Sequence, residues 1–213
     1  MVEIMISLLI STPVSDTGVS DENRFGGQPS APEGLLKWPT CTTCHGNMQF
    51  LGQLRSRSQG GGDTLLLLFM CQNDPGLCDE WDADAGGNQV ISVGCESLKL
   101  VEPPKAGEVI RSLRHGAKIE HVDSDSYDSA REEWSSTTDQ SMRDVLGQVG
   151  GSPSWIQGEE IPSCNLCDSP MSFVAQLEEG PDWKTAMNFG GGGSAYVYRC
   201  NCDTNQTKLF WQC

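Results

Sequence analysis

Four short stretches carry residue types that could do metal or redox chemistry. Residues 39–54 read PTCTTCHGNMQFLGQL, with Cys41 and Cys44 separated by two residues and followed by His45. A Cys-x-x-Cys-His run can attach a c-type haem, hold a zinc ion, run dithiol redox chemistry or form half of a disulfide framework. Residues 162–177, PSCNLCDSPMSFVAQL, offer Cys164 and Cys167 with Asp168 in the histidine's place. LLLLFMC (65–71) and AYVYRC (195–200) each end an apolar run on a cysteine, Cys71 and Cys200, and Cys78 and Cys202 follow.

Comparing the stretches narrows the chemistry. Cys41, Cys44, Met48, Phe50, Gln53 and Leu54 recur as Cys164, Cys167, Met171, Phe173, Gln176 and Leu177, all at an offset of 123 residues. Both copies are preceded by Gly-Gly-x-Pro-Ser, at 26–30 and 150–154. Agreement over about thirty positions reads as an internal duplication. A function common to both halves cannot depend on His45, which speaks against haem. A catalytic Cys-x-x-Cys normally follows a strand and opens a helix; here it follows proline and precedes a period-2 pattern.

What remains is a ligand set of four thiolates per half, the number a tetrahedral zinc ion takes. The sets are Cys41, Cys44, Cys71 and Cys78, and Cys164, Cys167, Cys200 and Cys202. Two residues between cysteines let the backbone turn so that both sulfurs face one ion, and a hairpin returns the second pair to the same end. Cys200-x-Cys202 is tighter than usual, so Cys213 or a carboxylate is an alternative ligand in the second set. Sites closed by four cysteines are structural, since catalytic zinc keeps a position for water. Buried thiols that hold no metal are the bland alternative for either set and the adequate reading of Cys95.

The elements that must position these cysteines are strands. Met48, Phe50 and Gly52 alternate with Asn47, Gln49 and Leu51, and LLLLFM has the length of a buried strand. The fold class expected is α+β, mostly β, as duplicated antiparallel-sheet halves with Cys-x-x-Cys zinc knuckles. Residues 1–101 and 149–213 form the halves of one compact pseudo-symmetric unit. Residues 102–148 join them as an acidic connector. There Ser129 and Glu132 resemble a capping box. Met142, Val145, Leu146 and Val149 have the i, i+3, i+4, i+7 spacing of a short helix starting near Thr138 and ending at Gly150. Residues 1–16, MVEIMISLLISTPVSD, read as a first strand or helix. FGGGGS (189–194) lacks the Gly-Lys-Ser/Thr of a phosphate loop and reads as a flexible hairpin tip.

The remaining chemistry-bearing residues form no catalytic set. His115 and His121 fall in the connector, where exposure is expected. Asp79, Glu80, Asp82 and Asp84 match a calcium loop only in part and lack its closing glutamate, so they read as a solvated turn, with Trp81 capping the core beside the metal. G-x-S-x-G and H-E-x-x-H are absent. The chain is therefore expected not to be an enzyme.

Composition bounds the partners. The 213 residues carry 29 acidic and 14 basic side chains, a formal charge of −15. Such a surface repels phosphates and anionic lipid and speeds encounter with basic partners; the bland alternative is that it only keeps the chain soluble. No apolar run approaches the length of a membrane span, and Glu3 stands where a signal peptide wants positive charge. The expectation is a cytoplasmic protein with reduced thiols, which again points the ten cysteines to metal rather than disulfides.

Several motifs in order carry a family resemblance: GGQPSAPEG, KWPTC, FLGQL, LLLLFMC, EWDADAGGN, GGSPSWIQ and the final LFWQC. Together they resemble the bacterial YwqG-like domains of unknown function. The order Gly-Gly-x-Pro, Cys-x-x-Cys, Phe-x-x-Gln-Leu and strand-Cys is also similar to the programmed-cell-death-two family. The resemblance implies a fold and two roles: a dedicated chaperone for a basic ribosomal protein, or an immunity protein against a toxin. The expectation is a zinc-stabilised module that binds a basic protein and neither nucleic acid nor membrane. The alternatives are an enzyme with a site in the cleft between the halves, and an inert fold within a larger assembly.

Overall fold

The computed structural model describes residues 4–13, 18–57, 61–202 and 206–213. The chain opens with β1 (Ile4–Pro13), β2 (Arg24–Phe25), β3 (Ser30–Pro32), β4 (Gln49–Arg57), β5 (Asp63–Met70), β6 (Asn88–Gly94) and β7 (Leu98–Leu100). It continues with β8 (His115–Ser124), helix α1 (Tyr127–Thr138), β9 (Val145–Val149), β10 (Ser172–Glu178), β11 (Ser194–Arg199) and β12 (Thr207–Gln212). Short 3-10 turns precede β9 at Met142–Asp144 and β11 at Trp183–Thr185.

Ten strands form one sheet in the order β12-β11-β10-β9-β1-β8-β2-β4-β5-β6, and β3 and β7 pair as a separate ribbon. Neighbours run antiparallel throughout. The two edges meet: Thr207 Oγ1 donates to Val90 O at 2.9 Å, and Trp211 N donates to Trp81 O at 3.2 Å. The sheet is thus nearly closed into a barrel, which hides edges that would otherwise template aggregation.

Closure explains the core. One apolar cluster includes Leu9, Phe25, Leu51, Leu66, Val90, Ala117, Leu146, Ala175, Val197 and Leu209. These come from all ten strands of the sheet, and only a wall curved back on itself brings them together. Three further clusters lie on the barrel's outer face. Phe50, Leu65, Leu67 and Phe69 pack under Cys41, Cys71 and Cys78. Met171, Tyr196, Tyr198 and Phe210 pack under Cys164 and Cys200. Tyr127, Ala130 and Trp134 of α1 cover Ile6, Leu8 and Ile10. Strands β5 and β11 are therefore buried on both faces, which is why their apolar runs do not alternate.

The central pair, β1 and β8, is registered over ten residues, from Ile4 opposite Ser124 to Pro13 opposite His115. The stretch expected as an acidic connector thus supplies a middle strand of the barrel. His115 is buried and stacked on Phe25 at 5.4 Å, contrary to the expected exposure, whereas His121 is exposed and bonded to Ser7 Oγ at 3.1 Å.

The helix expected near 138–149 is not formed. Met142 lies exposed in the 3-10 turn, and Val145, Leu146 and Val149 belong to β9, where Val145 joins the cluster under α1 and Leu146 the barrel interior. A strand buried on both faces places apolar residues side by side, and here they mimic a helical spacing. The helix of this region is α1, and Ser126 caps it rather than Ser129, accepting from Ser129 N at 3.2 Å. In β9, Gly147 has φ 142°, and a Cβ there would lie 1.9 Å from Gln176 O. Only glycine permits β9 and β10 to pair at that point.

Outward from the central pair, β8-β2-β4-β5-β6 and β1-β9-β10-β11-β12 follow the same plan. Gly26 N donates to Leu51 O, and Gly150 N to Val174 O, both at 2.8 Å. Ser30 N and Ser154 N donate to the side-chain oxygens of Gln53 and Gln176 at 3.2 and 2.8 Å. Register shifts occur between Phe50 and Gly52 in β4 and between Phe173 and Ala175 in β10.

Candidate metal centres

The two Cys-x-x-Cys segments fold alike. Each is a tight turn between a proline and the strand that follows. Cys41 N donates to Gly46 O at 2.9 Å, His45 N to Cys41 O at 3.0 Å and Met48 N to Pro39 O at 3.0 Å. The corresponding bonds, Cys164 N to Ser169 O, Asp168 N to Cys164 O and Met171 N to Pro162 O, are each 2.9 Å. His45 and Asp168 have φ of 60° and 55°. The left-handed region tolerates His, Asp and Asn better than most residues, so His45 closes a turn.

The structure brings each set of four sulfurs together. Within Cys41, Cys44, Cys71 and Cys78, and within Cys164, Cys167, Cys200 and Cys202, the Sγ atoms all lie within 4.8 Å of one another. Cys44–Cys71 is 3.6 Å, Cys167–Cys200 is 3.5 Å and Cys164–Cys202 is 3.9 Å. Four sulfurs at Zn–S of about 2.3 Å in a tetrahedron stand about 3.8 Å apart, so the donors suit such an ion. Disulfides need about 2.05 Å, and all ten cysteines are free thiols.

The second set closes despite its short Cys200-x-Cys202 spacing. Cys200 directly follows β11, with its N–H on Gln206 O at 2.7 Å, and Cys202 N donates to Cys200 Sγ at 3.3 Å. Cys213 lies elsewhere: a Cβ on Gly190 would meet its Sγ at 2.5 Å, at the tip of the FGGGGS turn. That tip is pinned rather than loose. The Glu179 carboxylate accepts from the N–H groups of Phe189, Gly191 and Gly192 at 2.6, 3.0 and 3.0 Å. Cys95 is half-buried at the margin of the first outer cluster, where burial pushes its thiol up.

Thiol acidities differ within each set, and in the same sense. Cys44 is lowered to about 7, first by the Gly46 N–H and then by its neighbouring thiols and Asn73. Cys167 is lowered chiefly by the Ser169 N–H. Burial pushes Cys71 and Cys78 up. Cys200 is pushed up to about 12: the Cys202 N–H pulls downward, but the neighbouring thiols and burial outweigh it. Four thiols this close cannot all ionise without a cation between them. A divalent ion held there would supply that charge and displace the protons.

One supporting residue has no motif to mark it. Asn73 donates its Nδ2 to Cys71 Sγ at 3.3 Å, Cys44 Sγ at 3.5 Å and Asn47 O at 3.2 Å. It ties the knuckle to the returning strand and stabilises negative charge on two sulfurs.

The acidic loop after Cys78 is more ordered than a solvated turn. Asp82 Oδ1 accepts from Asp84 N at 2.7 Å and Ala85 N at 3.1 Å. Glu80 is buried, and its Oε1 accepts from Gly76 N at 2.5 Å. Trp81 lies over the barrel seam, edge-on to Trp211 at 6.2 Å. Asp84 reaches the other half of the chain, taking hydrogen bonds from Lys208 Nζ at 2.5 Å and Asn165 Nδ2 at 3.0 Å. Burial pulls its carboxyl upward, but those bonds and the Lys208 charge prevail and hold it below its usual value.

A cleft of about 580 Å³ lies between α1 and the β10–β11 connection, lined by Arg131, Arg143, Glu178 and Lys184 among others. Glu178 accepts from Tyr127 Oη at 2.8 Å and faces Arg131 Nη1 at 3.3 Å, and burial raises its carboxyl. The cleft brings residues of 131–145 together with residues of 178–193. No family model matches the chain, nor does any curated protein. Among the described residues, no helix is long and apolar enough to cross a membrane.

Proposed function

We propose that this protein is a zinc-stabilised module that binds a basic protein, in a chaperone-like or toxin-immunity role. The observation that carries the reading is the pairing of two closed four-cysteine centres with a formal charge of −15. Zinc is the expected ion because tetrahedral four-thiolate sites select it. Such centres leave no position for substrate, so the ions serve folding, and function falls to the surface they support. The repeated strand plan and matching turns support descent of the two halves from one duplicated unit. The motif resemblance to the YwqG-like and programmed-cell-death-two families supports the same role.

The segment around the second knuckle suits such a partner. Ile156, Ile161 and Leu166 are 46%, 48% and 63% exposed, and Glu159 and Glu160 stand between them in the chain. Apolar side chains flanked by carboxylates would take a segment that is both basic and apolar. The test is co-purification, identification of the bound protein and reconstitution from purified components. The expected partner is basic, binds more weakly as salt rises, and is lost on Ile161→Ser with Leu166→Ser while metal content stays unchanged. An acidic partner, or binding indifferent to both salt and these substitutions, would overturn the reading.

A second reading, an enzyme, is favoured by one observation, the Tyr127–Glu178–Arg131 group in the α1 cleft. A carboxyl raised by burial beside a cation suits proton transfer on a small anionic substrate. Ligand screening by thermal shift, with Glu178→Gln as control, separates the readings: a small anion that stabilises only the native protein favours the enzyme.

A further inference from the structure

The two sulfur sets share one loop. Residues 79–87 leave Cys78 of the first set, run to β6, and on the way touch both knuckles. At the first knuckle, Thr42 lies between Cys41 and Cys44. Its N–H donates to Gly86 O at 3.1 Å, and its Oγ1 donates to Ala85 O at 2.7 Å. At the second knuckle, Asn165 lies between Cys164 and Cys167. Its Nδ2 donates to Asp84 Oδ1 at 3.0 Å, and its Oδ1 accepts from Lys208 Nζ at 2.7 Å. Ala83 packs into the cluster of Cys164 and Cys200. The loop also spans the barrel seam through Trp81 O and Trp211 N.

The loop has little freedom. Gly87 O accepts from Cys71 N at 2.8 Å, tying its far end to a second thiol of the first set. Asn88 Nδ2 donates to both Glu80 O and Asp82 O at 2.9 Å. A Cβ on Gly86 would lie 2.5 Å from Thr42 Cγ2. Asp84 cannot leave without consequence, because the Lys208 side chain it pairs with is only 8% exposed and a buried ammonium needs its counter-charge.

From this geometry we infer that the two metal sites are coupled through the 79–87 loop, each ion raising the protein's affinity for the other, with Asp84 and Thr42 as positioning residues. The inference rests on the metal reading above. An ion in the first set fixes Cys78 and Cys71, and with them the loop that presents Asp84 to Asn165. An ion in the second set fixes Asn165 and so holds Asp84 from the other side. Each ion then binds a chain whose ordering the other has already brought about, and the effect is reciprocal.

The test is zinc affinity, measured on the full chain by competition with a chromophoric chelator. Cys44→Ser cripples the first set and leaves the second set's sulfurs untouched. It is expected to weaken the second site about tenfold. In an Asp84→Ala or Thr42→Val background the same change should weaken it less than about twofold. Asp84→Ala removes the loop's side-chain contact with the second knuckle, Thr42→Val removes the hydroxyl contact with the first, and both leave all eight thiols in place. If Cys44→Ser compromises folding by circular dichroism, Cys167→Ser gives the reciprocal measurement on the first site, which must shift by the same factor. Two ions bound with no cross-effect, or a cross-effect undiminished in both backgrounds, overturns the coupling and leaves the metal reading standing. A native chain that takes up no zinc overturns both.

Discussion

Acidification should destabilise this fold through His115 by an amount that can be worked out beforehand. The β8 side chain is buried against Phe25, and its pKa is lowered to about 4, first by burial and then by the Arg111 charge. In the unfolded chain a histidine takes up its proton near 6.5. Between those values the unfolded state binds more protons than the folded one, so stability is complete above about pH 6.5 and is lost as pH falls through that window. At 1.36 kcal/mol per pH unit the loss reaches about 2.5 kcal/mol by about pH 4.5. The assay is urea unfolding of native protein and His115→Phe, which keeps a ring for Phe25 and cannot titrate. Both carry the same carboxylates and thiols, so losses from those groups cancel in the difference. The native protein should lose about 2.5 kcal/mol more than the variant between neutral pH and about pH 4.5. Parallel curves, or an imidazole seen by NMR to titrate near 6.5 in the folded protein, would refute the argument.

Other expectations concern the metal and the backbone. Metal affinity should fall as pH falls, because Cys71, Cys78 and Cys200 are pushed up and must surrender protons to the ion; a slope of log affinity against pH nearer three than one per site is expected, and a flat profile would count against thiolate ligation. Metal analysis by native mass spectrometry should find two ions per native chain and one after Cys167→Ser. Gly147→Ala should cost more than about 3 kcal/mol in urea unfolding, since its Cβ would sit 1.9 Å from Gln176 O. Gly191→Ala, with open space at φ 82°, should cost only about 1 kcal/mol.

Much of the site could be read from residue order, because a knuckle is a local object. The Cys-x-x-Cys turns, the apolar strands that end on Cys71 and Cys200, and the grouping of each set of four depend on spacings within about forty residues. The middle of the barrel could not be read that way. β8 is polar along most of its length, so His115–Ser124 resembles a connector until β1 and β2 are seen beside it. β9 is buried on both faces, which erases the alternation that marks a strand. Asn73 and Asp84 were invisible for a different reason: an asparagine or aspartate in a loop has many uses, and only the folded chain shows which sulfur or lysine it meets.

The seam explains why a barrel of this kind would use two ions. Among the described residues its edges β6 and β12 are not zipped by a ladder; the Thr207 side chain bridges them, and one backbone bond ties β12 to the loop before β6. Sheets held that way open more readily than paired strands, because each bridge contributes only about 1 kcal/mol. The 79–87 loop lies across this seam and reaches both knuckles. Ions bound at Cys41–Cys78 and Cys164–Cys202 would therefore clamp a junction that hydrogen bonding leaves weak. On this argument chelation should first raise hydrogen exchange in β6 and β12, while the fully paired β1 and β8 stay protected. Exchange beginning in β1 and β8 would mean that the ions support the barrel in some way other than closing its seam.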